Sequence, residues 1–214
     1  MLDYSDKPAG YYANVRRELV DEVPVGPHVV LEIGCGEGGT GAVLKAEGRA
    51  SRVVGIELME DAAEQAKNVL DQVLVGNIEQ MDLPFVEGQF DALLLADVME
   101  HLVDPWAVLR RLMTYLKPGG VVVASLPNVR NWRVLMPLIF LGKWEYQDAG
   151  IMDRTHLRFF TRSGMIKLFC ESGLEIKKMA PLGRRSKSLS RLPIGCLREF
   201  TTPQYLFVGS RKGN

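Results

Sequence analysis

The sequence predicts a single α/β domain, spanning residues 1–214, that is built on a mostly parallel β-sheet. Short apolar runs rich in β-branched residues alternate with helical patterns, and neither an internal repeat nor a low-complexity linker interrupts the alternation. Closely spaced glycines, Gly34, Gly36 and Gly38, close the first run. Runs of this kind are typical of strands that are buried on both faces and joined by crossover helices.

The predicted elements follow one another in order along the first 126 residues. Strands are expected at residues 29–33, 53–56, 73–75, 92–96 and 121–124, and helices at residues 41–46, 61–70 and 105–116. The last helix begins with Asp104 as N-cap and Pro105 in the first helical position, and the turn Lys117-Pro118-Gly119-Gly120 ends it. Strand–helix–strand units of this kind are right-handed and give a parallel sheet with helices on both faces.

The alternation breaks after Leu126. Prolines and glycines interrupt aromatic and apolar clusters over residues 127–160, which indicates an inserted cap. A helix is expected from the N-cap Thr161 to Gly173, and strands near 174–179 and 204–210 are expected to pair antiparallel at the sheet edge.

Composition excludes several classes of protein. Basic and acidic side chains number 26 each, so no net field attracts nucleic acid, and the basic group at residues 184–191 is interpreted as a solvated loop. The apolar run at residues 134–141 is too short for a membrane span, which needs about 20 residues. Three dispersed cysteines and the lack of an export signal at the first residues favour a cytoplasmic protein.

The glycine turn predicts a nucleoside site. Glycines at the end of a strand let the backbone approach a ligand closely, and the next strand ends at Glu57, whose carboxylate can accept the hydroxyls of a ribose. The alternative is a tight turn beside a surface glutamate. The same glycine spacing also fits a nicotinamide-dependent oxidoreductase. Glu32, two residues before Gly34, favours instead a ligand that carries a sulfonium and an ammonium.

Four segments carry a resemblance to class I S-adenosylmethionine-dependent methyltransferases. Residues 30–38 look like motif I, and residues 75–79, followed by residues 83–85, are similar to the stretch that lines the adenine. Residues 90–102 resemble motif IV, and residues 116–120 resemble the turn before strand five. The resemblance implies a Rossmann-like, seven-stranded, mostly parallel sheet of order 3-2-1-4-5-7-6, with the cap inserted after strand 5.

The resemblance also implies a cofactor and the residues that bind it. The cofactor is S-adenosyl-L-methionine, and the implied cofactor-binding residues are Glu32, Gly34, Gly36, Gly38, Glu57, Leu58, Asn77, Ile78 and Asp97. Asn77 departs from the aspartate usual at its position, but an amide oxygen can still accept a bond from the adenine amino group.

Two of the three histidines are candidate catalytic residues. His101 and His156 are expected near the carboxyl ends of the strands, where open α/β sheets bind ligands, whereas His28 precedes the first strand. Residues 153–161 resemble a segment of methyltransferases linked to glycan-building enzymes. His156 is either a general base or a structural histidine that pins the cap.

A metal site is the rival interpretation for His101. The run Asp97-Val98-Met99-Glu100-His101 is similar to the E-x-x-E-H that binds a divalent ion in ubiquinone-pathway O-methyltransferases. Asp97 is shorter than the glutamate of that motif, and the metal-free interpretation is favoured. No metal is therefore predicted.

The expected function is methylation of a small molecule by S-adenosylmethionine, on oxygen, with a sugar, glycan precursor or secondary metabolite as acceptor. The predicted acceptor-binding residues are Tyr12, Asn128, Trp132 and Trp144. Apolar cap residues are expected to form a lid, with core packing and a homodimer surface as alternatives. A cofactor-binding protein without catalysis stays a further alternative.

Overall fold

Seven strands form one sheet in the computed structural model, which describes residues 10, 12–182 and 195–211, and only the backbone of 195–197. The basic group predicted at residues 184–191 lies outside these ranges. The strands are β1 Val29–Ile33, β2 Arg52–Glu57, β3 Gln72–Val75, β4 Phe90–Ala96, β5 Leu116–Pro127, β6 Leu174–Leu182 and β7 Gln204–Arg211. Their order is β3-β2-β1-β4-β5-β7-β6. β1 to β5 are parallel and β7 is antiparallel to both its neighbours, which confirms the predicted fold class.

Helices cover both faces of the sheet. They are α1 Arg17–Val20, α2 Gly39–Ala46, α3 Glu60–Ala66, α4 Pro105–Tyr115, α5 Trp132–Leu141, α6 Arg162–Glu171 and α7 Gly195–Thr201, with a 3₁₀ turn at Met99–His101. Both predicted N-caps are confirmed. Asp104 accepts a hydrogen bond from the Ala107 amide at 2.9 Å, and Thr161 accepts one from the Gly164 amide at 3.2 Å.

Two predicted boundaries are wrong. Lys117–Gly120 was expected to be a turn, but β5 begins at Leu116, directly after α4. These residues bulge from the strand, because the register with β4 shifts between Phe90 and Ala92 and Gly119 has a φ of +78°. α3 ends at Ala66 rather than at residue 70.

Buried side chains alternate along the strands and divide the core between the two faces. Leu93 and Leu95 of β4 belong to the cluster that packs against α4 and α6, whereas Leu94 belongs to the cluster that includes residues of α1 and α2. The strands are therefore covered on both sides. Their carboxyl ends remain as the edge at which polar side chains can meet.

The cap differs from the expected lid. Within α5, Val134 is the one buried side chain, and Ile139, Phe140 and Leu141 are 63–72% exposed. The apolar run is therefore neither core nor pocket lining. Among the residues that the structure describes, no helix is long and apolar enough to cross a membrane.

Candidate active site

One cavity of about 1020 Å³ opens at the carboxyl ends of β1, β2 and β4. Most of the predicted site residues line it, from elements far apart in the sequence. They are Tyr12, Glu32, Gly34, Gly36, Glu57, Leu58, Asn77, Ile78, Asp97, His101 and His156. The cavity is at the upper end of the size usual for ligand sites, so it has room for more than one small molecule.

The glycine turn forms one end of the cavity. The Gly34 amide donates to the Ile56 carbonyl at 2.8 Å, which holds the turn against the end of β2. Gly36 has a φ of +54°, and a Cβ there would lie 2.4 Å from the Tyr12 carbonyl oxygen. A larger residue would therefore displace the backbone on one side of the cavity.

Glu57 fixes the same turn through its carboxylate. Oε2 accepts from the Gly36 amide at 2.8 Å, and Oε1 accepts from the amides of Leu58 at 2.8 Å and Met59 at 3.0 Å. An ionised carboxylate has about four acceptor positions. The three bonds from backbone amides leave about one acceptor position for a ligand hydroxyl. Binding both hydroxyls of a ribose, as the sequence predicted, would need two positions.

Glu32 is a buried carboxyl that faces the cavity. Glu32 is 3% exposed, and its Oε2 has no hydrogen-bond partner among the described residues. Burial raises the pKa of Glu32 to about 8; the Thr40 hydroxyl and the Gly41 backbone oppose that rise, and Glu57 adds to it. A ligand cation would satisfy this oxygen and favour the ionised carboxylate.

Asp97 and Asn77 line the cavity, but their side chains are already engaged. Asp97 forms an ion pair with Arg16 and accepts hydrogen bonds from Ser125 and Gln204. Its φ of +54° is uncommon for a residue with a side chain and is typical of functional turns. The Asn77 Oδ1 accepts from the Glu79 amide at 2.9 Å, so one acceptor position is used within its own turn.

Glu100, His101 and His156 meet in the same cavity, and the first two closely follow Val98, which lies close to Gly34 of the glycine turn. Glu100 is 1% exposed, and burial raises its pKa to about 8; its own backbone and Arg16 oppose that rise, and Asp153 adds to it. The His156 Nε2 lies 4.0 Å from the Glu100 Oε1, and the two imidazole rings are 4.7 Å apart in an edge-to-face arrangement. The sequence thus brings two imidazoles and a buried carboxyl together from the end of β4 and the cap.

Four predicted residues lie outside the cavity lining. Gly38 is the N-cap of α2. Trp132 and Trp144 are about two-fifths exposed, and the Trp144 ring packs on Phe159 at 5.1 Å. The structure therefore gives no support to acceptor binding by these two tryptophans, since the cap residues that line the cavity are Pro127 and residues between Gly150 and Leu157.

Asn128 likewise gains no support as an acceptor-binding residue, since it is fully buried and its amide is used structurally. Nδ2 donates to the carbonyls of Glu199 at 2.8 Å and Thr202 at 2.9 Å, and Oδ1 accepts from the Arg130 amide. It ties the start of the cap to the segment before β7.

The cavity lining includes residues outside the predicted site set, among them Glu100 and Gln204. Glu100 has a sequence signal, because it is a carboxyl after a strand and belongs to the run that resembles the metal-binding E-x-x-E-H. Gln204 has none, because its contact with Asp97 joins residues 107 positions apart.

The family assignment follows from comparison with known proteins. A family model described as a methyltransferase domain matches residues 9–178. The chain belongs to the methyltransferase domain family. Together with the fold, this membership makes S-adenosylmethionine the cofactor of the domain, and the partnerless oxygen of Glu32 fits the cationic groups of that molecule.

Relatives of this methyltransferase domain include a ubiquinone biosynthesis O-methyltransferase of Acinetobacter baylyi, which is 32% identical over 162 residues. The match covers 72% of this chain and 66% of the relative, so it spans just under two thirds of that protein's length. Another ubiquinone biosynthesis O-methyltransferase, from Aeromonas salmonicida, is 25% identical and is covered over 77% of its length.

Solved structures share the fold of this methyltransferase domain. An S-adenosylmethionine-dependent methyltransferase from Mesorhizobium loti superposes with a TM-score of 0.64 at 19% identity, over 92% of this chain and 96% of that one. At this level of identity, the likeness concerns the fold alone.

Proposed function

We propose that the chain transfers a methyl group from S-adenosylmethionine to a hydroxyl oxygen of a small molecule. The observation that carries the proposal is a single cavity lined by two chemically different groups of side chains, which we call its donor end and its acceptor end. Gly36, Glu32 and Glu57 form the donor end, whereas Glu100, His101 and His156 form the acceptor end.

The donor end suits the methyl donor. The Glu32 oxygen without a partner would receive the ammonium group, and the remaining acceptor position of Glu57 would receive a ribose hydroxyl. Leu58 and Ile78 would pack on the adenine. S-adenosylmethionine supplies an activated methyl group, and the protein's part is mainly to position the acceptor in line with it.

The acceptor end suits the methyl acceptor. A hydroxyl loses its proton as its oxygen attacks the methyl carbon, while the carbon–sulfur bond breaks and its electron pair stays on sulfur. His101 and His156 are the groups that would remove this proton or lower the pKa of the hydroxyl, with His156 as the leading catalytic residue. Apolar residues of the same lining, Leu102, Ile151 and Leu157, would pack on the body of the acceptor. Tyr12, whose carbonyl oxygen lies against Gly36, would also contact it.

The substrate class rests on relatives and on resemblance. The names of the ubiquinone biosynthesis relatives favour oxygen as the methylated atom. The segment at residues 153–161 favours a sugar, a glycan precursor or a secondary metabolite. We place the reaction in the cytoplasm, with a small-molecule acceptor, no nucleic acid, and a homodimer as the expected assembly if one forms.

Calorimetry with S-adenosylhomocysteine, the product, and with NAD⁺ tests the cofactor. S-adenosylhomocysteine should bind with a Kd on the micromolar scale, about 8 kcal/mol, and NAD⁺ should not bind. Turnover is then measured with S-adenosylmethionine against sugar and phenolic hydroxyls. Tight NAD⁺ binding without S-adenosylhomocysteine binding would overturn the proposal. Cofactor binding without turnover on any acceptor would favour a non-catalytic protein.

A further inference from the structure

Three side chains in the acceptor end of the cavity have the chemistry of metal ligands. Glu100, His101 and His156 each offer one ligand atom, and these atoms all lie within 4.8 Å of one another. Glu100 and His101 belong to the 3₁₀ turn after β4, whereas His156 comes from the cap. The cluster forms only when these two segments come together, because His156 is 55 residues from His101 and 56 from Glu100.

Backbone carbonyls orient both imidazoles. The His101 Nδ1 lies 3.1 Å from the Thr155 carbonyl oxygen, and the His156 Nδ1 lies 3.0 Å from the Ile151 carbonyl oxygen. A carbonyl oxygen can only accept, so Nδ1 carries the hydrogen in each ring. In a neutral ring the lone pair is then on Nε2. Histidines that bind metals through one nitrogen commonly donate the other N–H to such a carbonyl or to a carboxylate.

Glu100 supplies the independent observation that a cation belongs here. It is 1% exposed, and its Oε2 has no hydrogen-bond partner among the residues that the structure describes. A buried carboxylate is costly unless a positive charge or hydrogen-bond donors compensate it. The nearby guanidinium of Arg16 pairs with Asp97 instead.

We propose that Glu100, His101 and His156 bind a divalent transition-metal ion. The set is distinct from the E-x-x-E-H pattern, because Asp97 is engaged by Arg16, Ser125 and Gln204 and His156 takes the third position. Two imidazoles and one carboxylate suit Zn²⁺, Fe²⁺ or Ni²⁺ better than Mg²⁺, which prefers oxygen ligands.

The geometry requires a small inward movement. Ligand atoms about 2 Å from a shared ion must lie within about 4 Å of one another, so the widest separation of 4.8 Å closes by about an ångström. Three protein ligands leave a coordination position open.

The open position deepens the proposed function, on which this step rests. A hydroxyl oxygen bound there would have a lower pKa and would lose its proton to water before it attacks the methyl carbon. The two histidines would then act by holding the ion rather than by accepting the proton directly.

Metal titration of the untagged chain of residues 1–214 tests the site without an acceptor. After dialysis against a chelator, the protein is titrated with Zn²⁺ by calorimetry and with Co²⁺ by visible absorption. We expect one ion per chain, a Co²⁺ spectrum with nitrogen ligands, and much weaker binding of Mg²⁺. His101→Ala, His156→Ala and Glu100→Gln should each weaken binding about 10-fold or more.

His28→Ala is the matched control, because it removes the third histidine, which lies before β1 and outside the cavity. It should bind Zn²⁺ like the unsubstituted chain. Glu100→Gln keeps the size of the side chain, so it decides the question if a histidine variant fails to fold. S-adenosylhomocysteine affinity, measured in the same samples, reports on the donor end separately.

Each outcome is decisive. Absence of one-to-one binding, or equal Zn²⁺ affinity in Glu100→Gln and the unsubstituted chain, overturns the metal site while S-adenosylhomocysteine binding still supports the methyltransferase. Zn²⁺ binding that is lost in the three variants and kept in His28→Ala supports the site. Failure to bind S-adenosylhomocysteine would count against the proposed function and not against the ion.

Discussion

Glu32 and Glu100 are two buried carboxyls with the same burial and different surroundings. They are 3% and 1% exposed, burial raises the pKa of each to about 8, and each has an oxygen without a hydrogen-bond partner among the described residues. Glu32 lies in β1, two residues before Gly34 of the glycine turn, and beside the Thr40 hydroxyl. Glu100 lies beside two imidazoles.

The difference shows that the neighbours, and not the carboxyl itself, select the cation. A carboxyl with hydroxyl and backbone neighbours can receive an organic ammonium, which needs only acceptors. A carboxyl with two imidazole lone pairs is suited to a metal ion, which needs several ligand atoms at short distance. The following predictions separate the two ends.

The largest effect is expected for Gly36→Ala. The new Cβ would meet the Tyr12 carbonyl, and the backbone would be strained at a φ of +54°. S-adenosylhomocysteine affinity should fall about 100-fold or more, roughly 3 kcal/mol, while Zn²⁺ binding at Glu100 should be unchanged. Calorimetry measures both.

Gly48→Ala is the control for strain alone, since Gly48 has a φ of +66° and no atom within 4 Å of a new Cβ. It should cost about 1–2 kcal/mol of stability and leave S-adenosylhomocysteine affinity intact. Equal affinities for Gly36→Ala and the unsubstituted chain would show that the ligand does not approach this turn.

Glu57→Ala should weaken S-adenosylhomocysteine binding by about 1.5–3 kcal/mol, the scale of hydrogen bonds to a charged group. The melting temperature should also fall, because the amides of Gly36, Leu58 and Met59 lose their acceptor. Glu60→Ala, at an exposed carboxylate three residues on, is the comparison and should change neither quantity. Full affinity in a folded Glu57→Ala protein would place the ribose elsewhere.

Glu32 should make ligand binding depend on pH. In the ligand-free protein this carboxyl is protonated below a pKa of about 8, and an ammonium ligand favours its ionised form. Binding should therefore release about one proton near pH 7, and affinity should rise with pH until about 8. Calorimetry in buffers of different ionisation enthalpy counts the protons. Glu32→Gln should abolish the release, and Glu100→Gln should retain it.

The carboxyl of Glu32 should also make the stability of the ligand-free protein depend on pH, with lower stability at higher pH. The folded-state pKa of Glu32 is raised above the ordinary value of 4.5. The contribution of this raised pKa to the free energy of unfolding is thus fully present below pH 4.5 and is lost as pH rises through about 8. Glu32→Gln should flatten the decline of the melting temperature over that range. An identical decline in the variant would contradict the assignment.

The smallest effect is expected in α5. Phe140 is 72% exposed, so Phe140→Ser should change the free energy of unfolding by only about 0.5 kcal/mol or less. Val134→Ala removes a buried side chain of the same helix and should cost about 1–3 kcal/mol. Chemical denaturation measures both. A large loss for Phe140→Ser would mean that the apolar face is covered in solution.

The sequence predicted the sheet, and it predicted that Gly34, Gly36 and Glu57 lie together, because both depend on short-range patterns. Apolar runs fix the strands, and Gly34, Gly36 and Glu57 follow directly from two strand ends. The cluster at Glu100 was harder to predict, because its partner His156 lies 56 residues away and only the folded cap brings it near.

The errors have physical causes too. The apolar and aromatic pattern of the cap does not show which side chains face solvent, so it does not reveal that Trp132 and Trp144 lie outside the cavity lining. A polar residue after a strand can serve a ligand or the backbone, and Asn128 serves the carbonyls of Glu199 and Thr202. The sequence contains no sign of which carbonyls lack a donor.

The position of β7 has a consequence for biosynthesis. Among the strands that the structure describes, β7 comes last in the sequence, yet it lies between β5 and β6 and brings Gln204 to Asp97 in the cavity. Synthesis proceeds from the amino terminus, so the β5 edge has no β7 partner and Asp97 lacks the donor Gln204 until residues 204–211 have been made. The residues of the glycine turn are made early, whereas Gln204 joins the cavity only with the last of the described strands.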